Sequence, residues 1–256
     1  MPDDAQSLYD QLAANYHLIF QDWYASIGRQ AAILSPILER ECGKPDGVRI
    51  LDCACGIGTQ LLGLASRGFR VTGCDLSQAS VERTRKEAEQ RGLDVRVFAA
   101  DMLDLSVVPE GNFDAVICMD NALPHLRSDE QLLQALRQIR KKLRVGRLFM
   151  ASIRDYDDLV RNKPLMQEPA FFHDHGKRRI VHQVWDWTSE RSYTFHLYIT
   201  RETENGWDSQ HYASNYRALL REELNRLLEH ARFTNCRWLR PAESGFYQPI
   251  VLATAK

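Results

Sequence analysis

The stretch Val48-Arg-Ile-Leu-Asp-Cys-Ala-Cys-Gly-Ile-Gly-Thr59 limits what this chain can fold into more than any other. It reads as a buried strand carrying Ile50, Leu51 and Cys53, then a tight glycine turn, then a helix opening near Thr59. Gly56 and Gly58 have no side chains, so a ligand can approach the backbone there, and the amides at the helix start point towards it. Asp52 stands at the strand's end. A strand, a Gly-x-Gly turn and a helix make a nucleotide-type site in an α/β fold.

From residue 48 to 155 strand and helix patterns alternate. Strands are expected at 48–53, 69–75, 95–100, 113–119 and 147–153. Gly68 ends the first helix, Ser77 caps a charged second helix that stops at Gly92, and Pro109–Asn112 forms a turn. Ser128 with Gln131 is a capping box opening a helix that runs to Arg144 and closes at Gly146. Short apolar strands between amphipathic helices predict a doubly wound, mostly parallel sheet, in which ligands bind beyond the carboxyl ends of the strands. Each strand delivers a polar residue there: Asp52, Asp75, Asp101, Asp120 and Arg154. One acid after a strand is ordinary turn chemistry. Five polar residues in succession on one sheet edge indicate a working crevice.

The flanks differ. Residues 1–47 are expected to be helical, with one run over Ser7–Trp23 and a second helix over about 26–41. Tyr9, Tyr16, Phe20, Trp23 and Tyr24 either pack these helices on the body or form a lid with ring faces near a cation. Residues 156–213 read as an antiparallel β insert with period-two strands at 179–187 and 193–200, rising over the strand ends as a cover. Residues 214–256 supply a helix from about Arg221 and two late strands, an antiparallel hairpin that completes a seven-stranded sheet.

The formal net charge is −1 with the signs interspersed, so no bulk pull towards nucleic acid is indicated. No run is apolar enough for a membrane span, and Met1-Pro-Asp-Asp4 lacks the order of a signal peptide, so a cytoplasmic protein is expected. The six cysteines fall largely in apolar runs without zinc spacing and are read as reduced thiols, with no metal site.

Which nucleotide the turn takes follows from what is missing. A dinucleotide fingerprint needs a third glycine where Leu61 stands, and a phosphate loop needs a Gly-Lys-Ser/Thr that is absent. The remaining pattern suits a nucleoside with an amino-acid tail. Asp75 can accept both ribose hydroxyls, Asp101 the adenine amino group, and Met102 can lie against the ring.

At these residues the sequence resembles the class I S-adenosylmethionine-dependent methyltransferases. Ile50–Thr59, Val71–Ser77, Ala100-Asp-Met102, Phe113–Met119 and Leu143–Arg147 look like their successive motifs. Ala54 departs, because glycine is usual there. The resemblance implies a Rossmann-like core over 48–155 binding S-adenosylmethionine through Asp52, Ala54, Gly56, Gly58, Asp75, Leu76, Asp101, Met102, Met119 and Asp120. Ser152–Leu159, the insert and the aromatic N-terminus are similar to glycine and sarcosine N-methyltransferases. That narrower resemblance implies Arg154 on a substrate carboxylate, and Tyr16, Trp23 and Arg29 closing over the cofactor.

The implied reaction is methyl transfer to a small-molecule acceptor, an amine nitrogen being favoured over an oxygen or carbon. An NAD-type oxidoreductase and a non-catalytic binding module are the rival classes. Catalysis would be mostly alignment and exclusion of water. His125 could face the acceptor as a base, or be a turn histidine. Arg154 could instead pair with Asp155 or Asp157. Phe171–Arg179, with its His173-x-His175 pair, is read as a solvated loop, and Trp185 with Trp187 as insert packing. A homo-oligomer is left open, since the N-terminal aromatics could equally make a subunit contact.

Overall fold

The computed structural model describes residues 5–109, 111–174 and 176–256. His175, Glu110 and residues 1–4 lie outside that set, so the His-x-His pair and the N-terminal tetrapeptide are not described further. Helix α1 (Ala5–Leu12) and a 3-10 turn (Tyr16–Ile19) lead into α2 (Trp23–Cys42). The run expected over Ser7–Trp23 is therefore broken. Asn15, beyond α1, turns its amide outward to Gln210 and Tyr212 at 2.8 and 3.2 Å. Helix α2 starts earlier than expected because Asp22 caps it, accepting from the Ala25 amide at 3.0 Å.

The core continues as β1 (Arg49–Asp52), α3 (Thr59–Ala65), β2 (Arg70–Asp75), α4 (Gln78–Gln90), β3 (Arg96–Ala99), β4 (Phe113–Cys118), α5 (Asp129–Lys142) and β5 (Leu143–Ser152). After α6 (Tyr156–Asn162) come β6 (Met166–Asp174), β7 (Lys177–Trp187), β8 (Ser192–Thr203) and β9 (Gly206–Arg217). Helix α7 (Arg221–His230), β10 (Phe233–Leu239), the short α8 (Pro241–Ser244) and β11 (Ile250–Ala255) close the described chain. The seven-stranded sheet has the order β10-β11-β5-β4-β1-β2-β3. Only β11 is reversed, antiparallel to both β5 and β10, so the expected terminal hairpin sits on the sheet edge. Strand β4 is buried along its whole length, which explains its unbroken apolar run.

Local expectations are corrected in two places, around α5 and in the insert. Helix α5 ends at Lys142 and β5 begins at once, with Gly146 inside it at φ +77. The register against β4 slips between Phe113 and Ala115, so this glycine marks a bulge rather than a helix end. The Ser128 cap is real, but Gln131 bonds the Arg127 amide instead of closing a box on Ser128. The second correction concerns Phe171–Arg179. Its described residues are mostly exposed or half-buried, but they are strand rather than loop: 171–174 end β6 and 177–179 begin β7 in a four-stranded antiparallel sheet of order β6-β7-β8-β9. Arg179 is buried there, paired with Asp174 at 2.5 Å and donating to the carbonyls of Leu18 and Phe20. It ties the insert to the N-terminal segment. Among the described residues no helix is long and apolar enough to cross a membrane, and no cluster of three or more metal-type ligands occurs.

Candidate active site

The glycine turn is held from behind. Gly56 donates its amide to Asp75 Oδ2 at 2.8 Å and accepts from Thr84 Oγ1 at 2.8 Å. The other oxygen of Asp75 accepts from the Ser77 amide at 2.9 Å. The two glycines do different work. At Gly58, with φ +94, a Cβ would come within 2.9 Å of Leu62 and 3.0 Å of Thr84, so glycine is required for helix packing. At Gly56, with φ +52, a Cβ would meet no atom within 4 Å. That residue fronts open space.

The open space is a cavity of about 230 Å³ beyond the carboxyl ends of the strands. It brings together Tyr16, Ala54, Gly56, Asp75, Leu76 and Asp101 of the expected cofactor residues. Met102, Met119, Asp120 and His125 also line it. A second cavity of about 880 Å³ lies beside it, walled by the N-terminal segment, the inner face of the insert sheet and the stretch Pro241–Pro249. Arg29 and Arg154 line this larger space. Among the described residues only Tyr9, Tyr16 and Asp120 line both, so these three mark the neck between them.

Three expected residues lie at neither cavity. Trp23 is buried under α3, its indole donating to Thr59 Oγ1 at 2.9 Å. Gly58 is in the turn's interior. Asp52 is fully buried with neither oxygen in a hydrogen bond. Burial lifts its carboxyl to about 8, against the pull of the nearby Ala54 amide. Burial also raises Asp75, with the Ser77 and Gly56 amides pulling the other way, and raises Asp120, opposed by Tyr247 and Gln60. Asp120 sits at φ +56 and accepts from Tyr247 at 2.6 Å and Gln60 at 2.7 Å.

Arg154 is half-buried and caged. Its guanidinium lies 4.6 Å from the centroid of Trp185, 5.3 Å from Phe195 and 5.7 Å from Tyr216. It donates to Tyr193 at 3.0 Å and to Gln183 at 3.2 Å. The ion pairs weighed for it do not form, because Asp155 is taken by Arg221 and Arg240, and Asp157 by Arg221. Trp185 therefore serves the cavity wall as well as packing, whereas Trp187 bonds the Pro164 carbonyl. His125 does not line the larger cavity. The Tyr9 hydroxyl stands between, 3.0 Å from His125 Nε2 and 3.4 Å from the Tyr216 hydroxyl.

Gln60, Tyr193, Tyr216 and Tyr247 escaped the sequence reading, and Tyr9 entered it only among the packing or lid aromatics. Tyr216 had a usable signal: Tyr212, Ser214 and Tyr216 alternate along β9, and all three are buried on one face. Tyr247 had none, because its role depends on a chain reversal that brings Ser244–Tyr247 back to β4.

The smaller cavity has acids at the ends of β2 and β3, room at Gly56 and no lysine among its described lining residues. Those acids can accept from hydroxyl and amino donors. Residues 50–146 match the family described as a methyltransferase domain. These residues thus carry a methyltransferase domain, and the class it resembles, the class I S-adenosylmethionine-dependent methyltransferases, takes its methyl group from S-adenosylmethionine. Within the class the chain is similar to the glycine N-methyltransferase of Oryctolagus cuniculus, 35% identical over 125 residues, or 44% of this chain and 42% of that enzyme. It is also similar to the ubiquinone biosynthesis O-methyltransferase of Xanthomonas axonopodis pv. citri, 30% identical over 153 residues, or 58% and 61%. The matches span about half the length of these curated relatives. The solved structure of CalS10, an amino pentose methyltransferase from Micromonospora echinaspora, aligns with a TM-score of 0.71 over 90% of this chain and 92% of that one. At 20% identity that likeness speaks to the fold.

Proposed function

We propose that the protein transfers a methyl group from S-adenosylmethionine to the nitrogen of a small amine that also carries a carboxylate. One observation carries the acceptor half of this reading. Arg154 is a cation in a large, aromatic-walled cavity, and no carboxylate of the described residues pairs with it. A cation fixed by neutral partners keeps its remaining donors for a ligand anion, and the planar fork suits a carboxylate.

When bound, S-adenosylmethionine supplies an activated methyl group and a neutral sulfur leaving group. The chain's residues do the rest. Asp75, held rigid by two amides, takes the ribose hydroxyls, Asp101 takes the adenine amino group, and Leu76, Met102 and Met119 flank the base. Ala54 and Gly56 leave room for the tail, Gly58 fixes the turn, and buried Asp52 ends the strand beneath it. Tyr16 at the neck and Arg29 in the adjoining larger cavity receive the tail's far end. Trp23 acts only by anchoring α2 on α3. The acceptor nitrogen then reaches the neck from the larger cavity, where Asp120 and the Tyr9–His125 pair can hold its departing proton. Residues 5–47 and the insert wall the space above, which limits the access of water.

The relative acting in ubiquinone biosynthesis is an O-methyltransferase, and a hydroxyl acceptor is the second reading. A panel of amines, amino acids and phenols assayed for S-adenosylhomocysteine release tests both. Turnover confined to the phenols overturns the amine reading.

A further inference from the structure

We infer that the acceptor is an extended amine: a carboxylate headgroup at Arg154, with an apolar substituent of at least ring size lying on the insert sheet. This rests on the function proposed above and narrows its substrate class.

The larger cavity holds about 880 Å³, near the top of the range for sites that enclose drug-sized ligands. The tail of the methyl donor at Arg29 takes only one end of it. An amine the size of glycine would leave most of the remainder filled with water. In-line attack depends on holding the nucleophile in a near-attack position, and a loosely enclosed headgroup is held poorly. The walls also carry a chemical preference. Beyond the aromatic cage of Arg154, to which Phe195 belongs, they are supplied by Leu159, Val181 and Leu197 on one side and by Ile19 and Phe20 on the other. Val181, Phe195 and Leu197 are buried, on the inner face of β7 and β8. Apolar surface this extensive gains from an apolar partner and gains nothing from a headgroup alone. The mouth repeats the preference. Met166 and Tyr247, two of the large hydrophobic residues that the described surface leaves exposed, at 52% and 60%, both line this cavity. An apolar substituent longer than the cavity would leave past them.

The test is a graded acceptor series with the full chain, reading S-adenosylhomocysteine release: glycine, alanine, norleucine, 2-aminooctanoate, phenylalanine and tryptophan. Each buried methylene should raise kcat/KM by about fourfold, so norleucine and phenylalanine should exceed glycine by more than tenfold. Met166→Glu places a charge at the exposed mouth without disturbing the core. It should cut the ratio of kcat/KM between 2-aminooctanoate and alanine several-fold. Equal or better kcat/KM for glycine overturns the inference and leaves the N-methyltransferase reading standing. Phenylalaninamide separates the two ideas. If it turns over as well as phenylalanine, the carboxylate contact at Arg154 is refuted while the size preference survives. Release with phenols and with no amine overturns both.

Discussion

Replacing Arg154 should raise KM for a carboxylated acceptor with little change in fold or donor affinity. The structure allows the two costs to be worked separately. The guanidinium donates to Tyr193 at 3.0 Å and to Gln183 at 3.2 Å, so Arg154→Met removes two internal hydrogen bonds. Neither acceptor is orphaned, however. Tyr193 keeps the Tyr156 hydroxyl at 2.9 Å, and Gln183 keeps the Trp185 indole at 3.2 Å. The stability cost should therefore be about 1–2 kcal/mol, and Tm should fall by a few degrees. The acceptor loses more, because its carboxylate would face a half-buried aromatic cage without its cation. About 2–4 kcal/mol is at stake, a rise in KM of roughly 30- to 1000-fold. Arg154→Lys keeps the charge and loses the fork, so its KM should fall between wild type and Arg154→Met. Steady-state kinetics with norleucine, beside calorimetric titration of S-adenosylhomocysteine, separates the effects. An unchanged KM, or donor-product affinity falling in parallel with it, refutes the assignment of Arg154 to the acceptor.

Three further outcomes follow from the donor side. Asp75→Asn replaces two acceptor oxygens with one, so either the Gly56 or the Ser77 amide loses its partner along with the ribose. S-adenosylhomocysteine should bind roughly a hundredfold more weakly by calorimetry, about 2.7 kcal/mol. Trp23→Phe should destabilise by about 1 kcal/mol through loss of the Thr59 bond and leave that affinity within twofold, since the ring lies at neither cavity. The pH dependence has a defined sign. The Asp52 carboxyl is raised to about 8 in the fold, against about 4 in the unfolded chain, so in this interval the folded state binds more protons. Stability of the ligand-free protein from this group is fully present below about 4 and falls as pH rises towards 8; Asp75 and Asp120, also raised, act in the same sense. Thermal melts over that interval should show a falling Tm that Asp52→Asn flattens, and a Tm rising with pH contradicts the burial effect.

The core was legible because its signals are local. Ile50–Thr59, Ser77 and the acids after successive strands each report a strand end or a helix start without knowledge of distant residues. The larger cavity was legible at Arg154 and Asp120, which follow strands of the same series, and at Tyr16 and Arg29 through the resemblance. Its other walls are assembled over long separations. Tyr9 meets His125, Asn15 meets Gln210 and Tyr212, and Tyr247 meets Asp120. Nothing near Trp23 in sequence says that its ring turns inward to Thr59 while Tyr16 and Phe20 face a cavity. Strand β6 was missed for a related reason. Met166–Asp174 is mostly exposed or half-buried, so it lacks the apolar alternation of a covered strand, and pairing with β7 alone defines it.

Asp120 and Asn121 join the two halves of the site, and a substitution there can show how. They follow β4 at φ +56 and +68, a region that costs an ordinary residue about 1–2 kcal/mol. Ser152 at the end of β5 holds them there, its hydroxyl accepting the Asp120 amide at 2.8 Å and its carbonyl the Asn121 amide at 3.1 Å. The turn aims Asp120 at the neck. Asn121 points the other way, accepting the Arg154 amide at 3.0 Å and donating to Tyr156 at 3.0 Å. Asn121→Gly keeps the turn, because glycine takes this φ freely, and it removes the tether on Arg154. The relieved strain offsets part of the lost hydrogen bonding, so Tm should move little while KM for a carboxylated acceptor rises about tenfold. Asn121→Ala loses the same side-chain bonds and keeps the strain, so it should be the less stable of the two by about 1 kcal/mol. Donor-product affinity should hold in both if the turn survives. If Asn121→Gly weakens S-adenosylhomocysteine as much as it raises KM, the turn serves the donor pocket as a whole and Asn121 has no separate part in positioning Arg154.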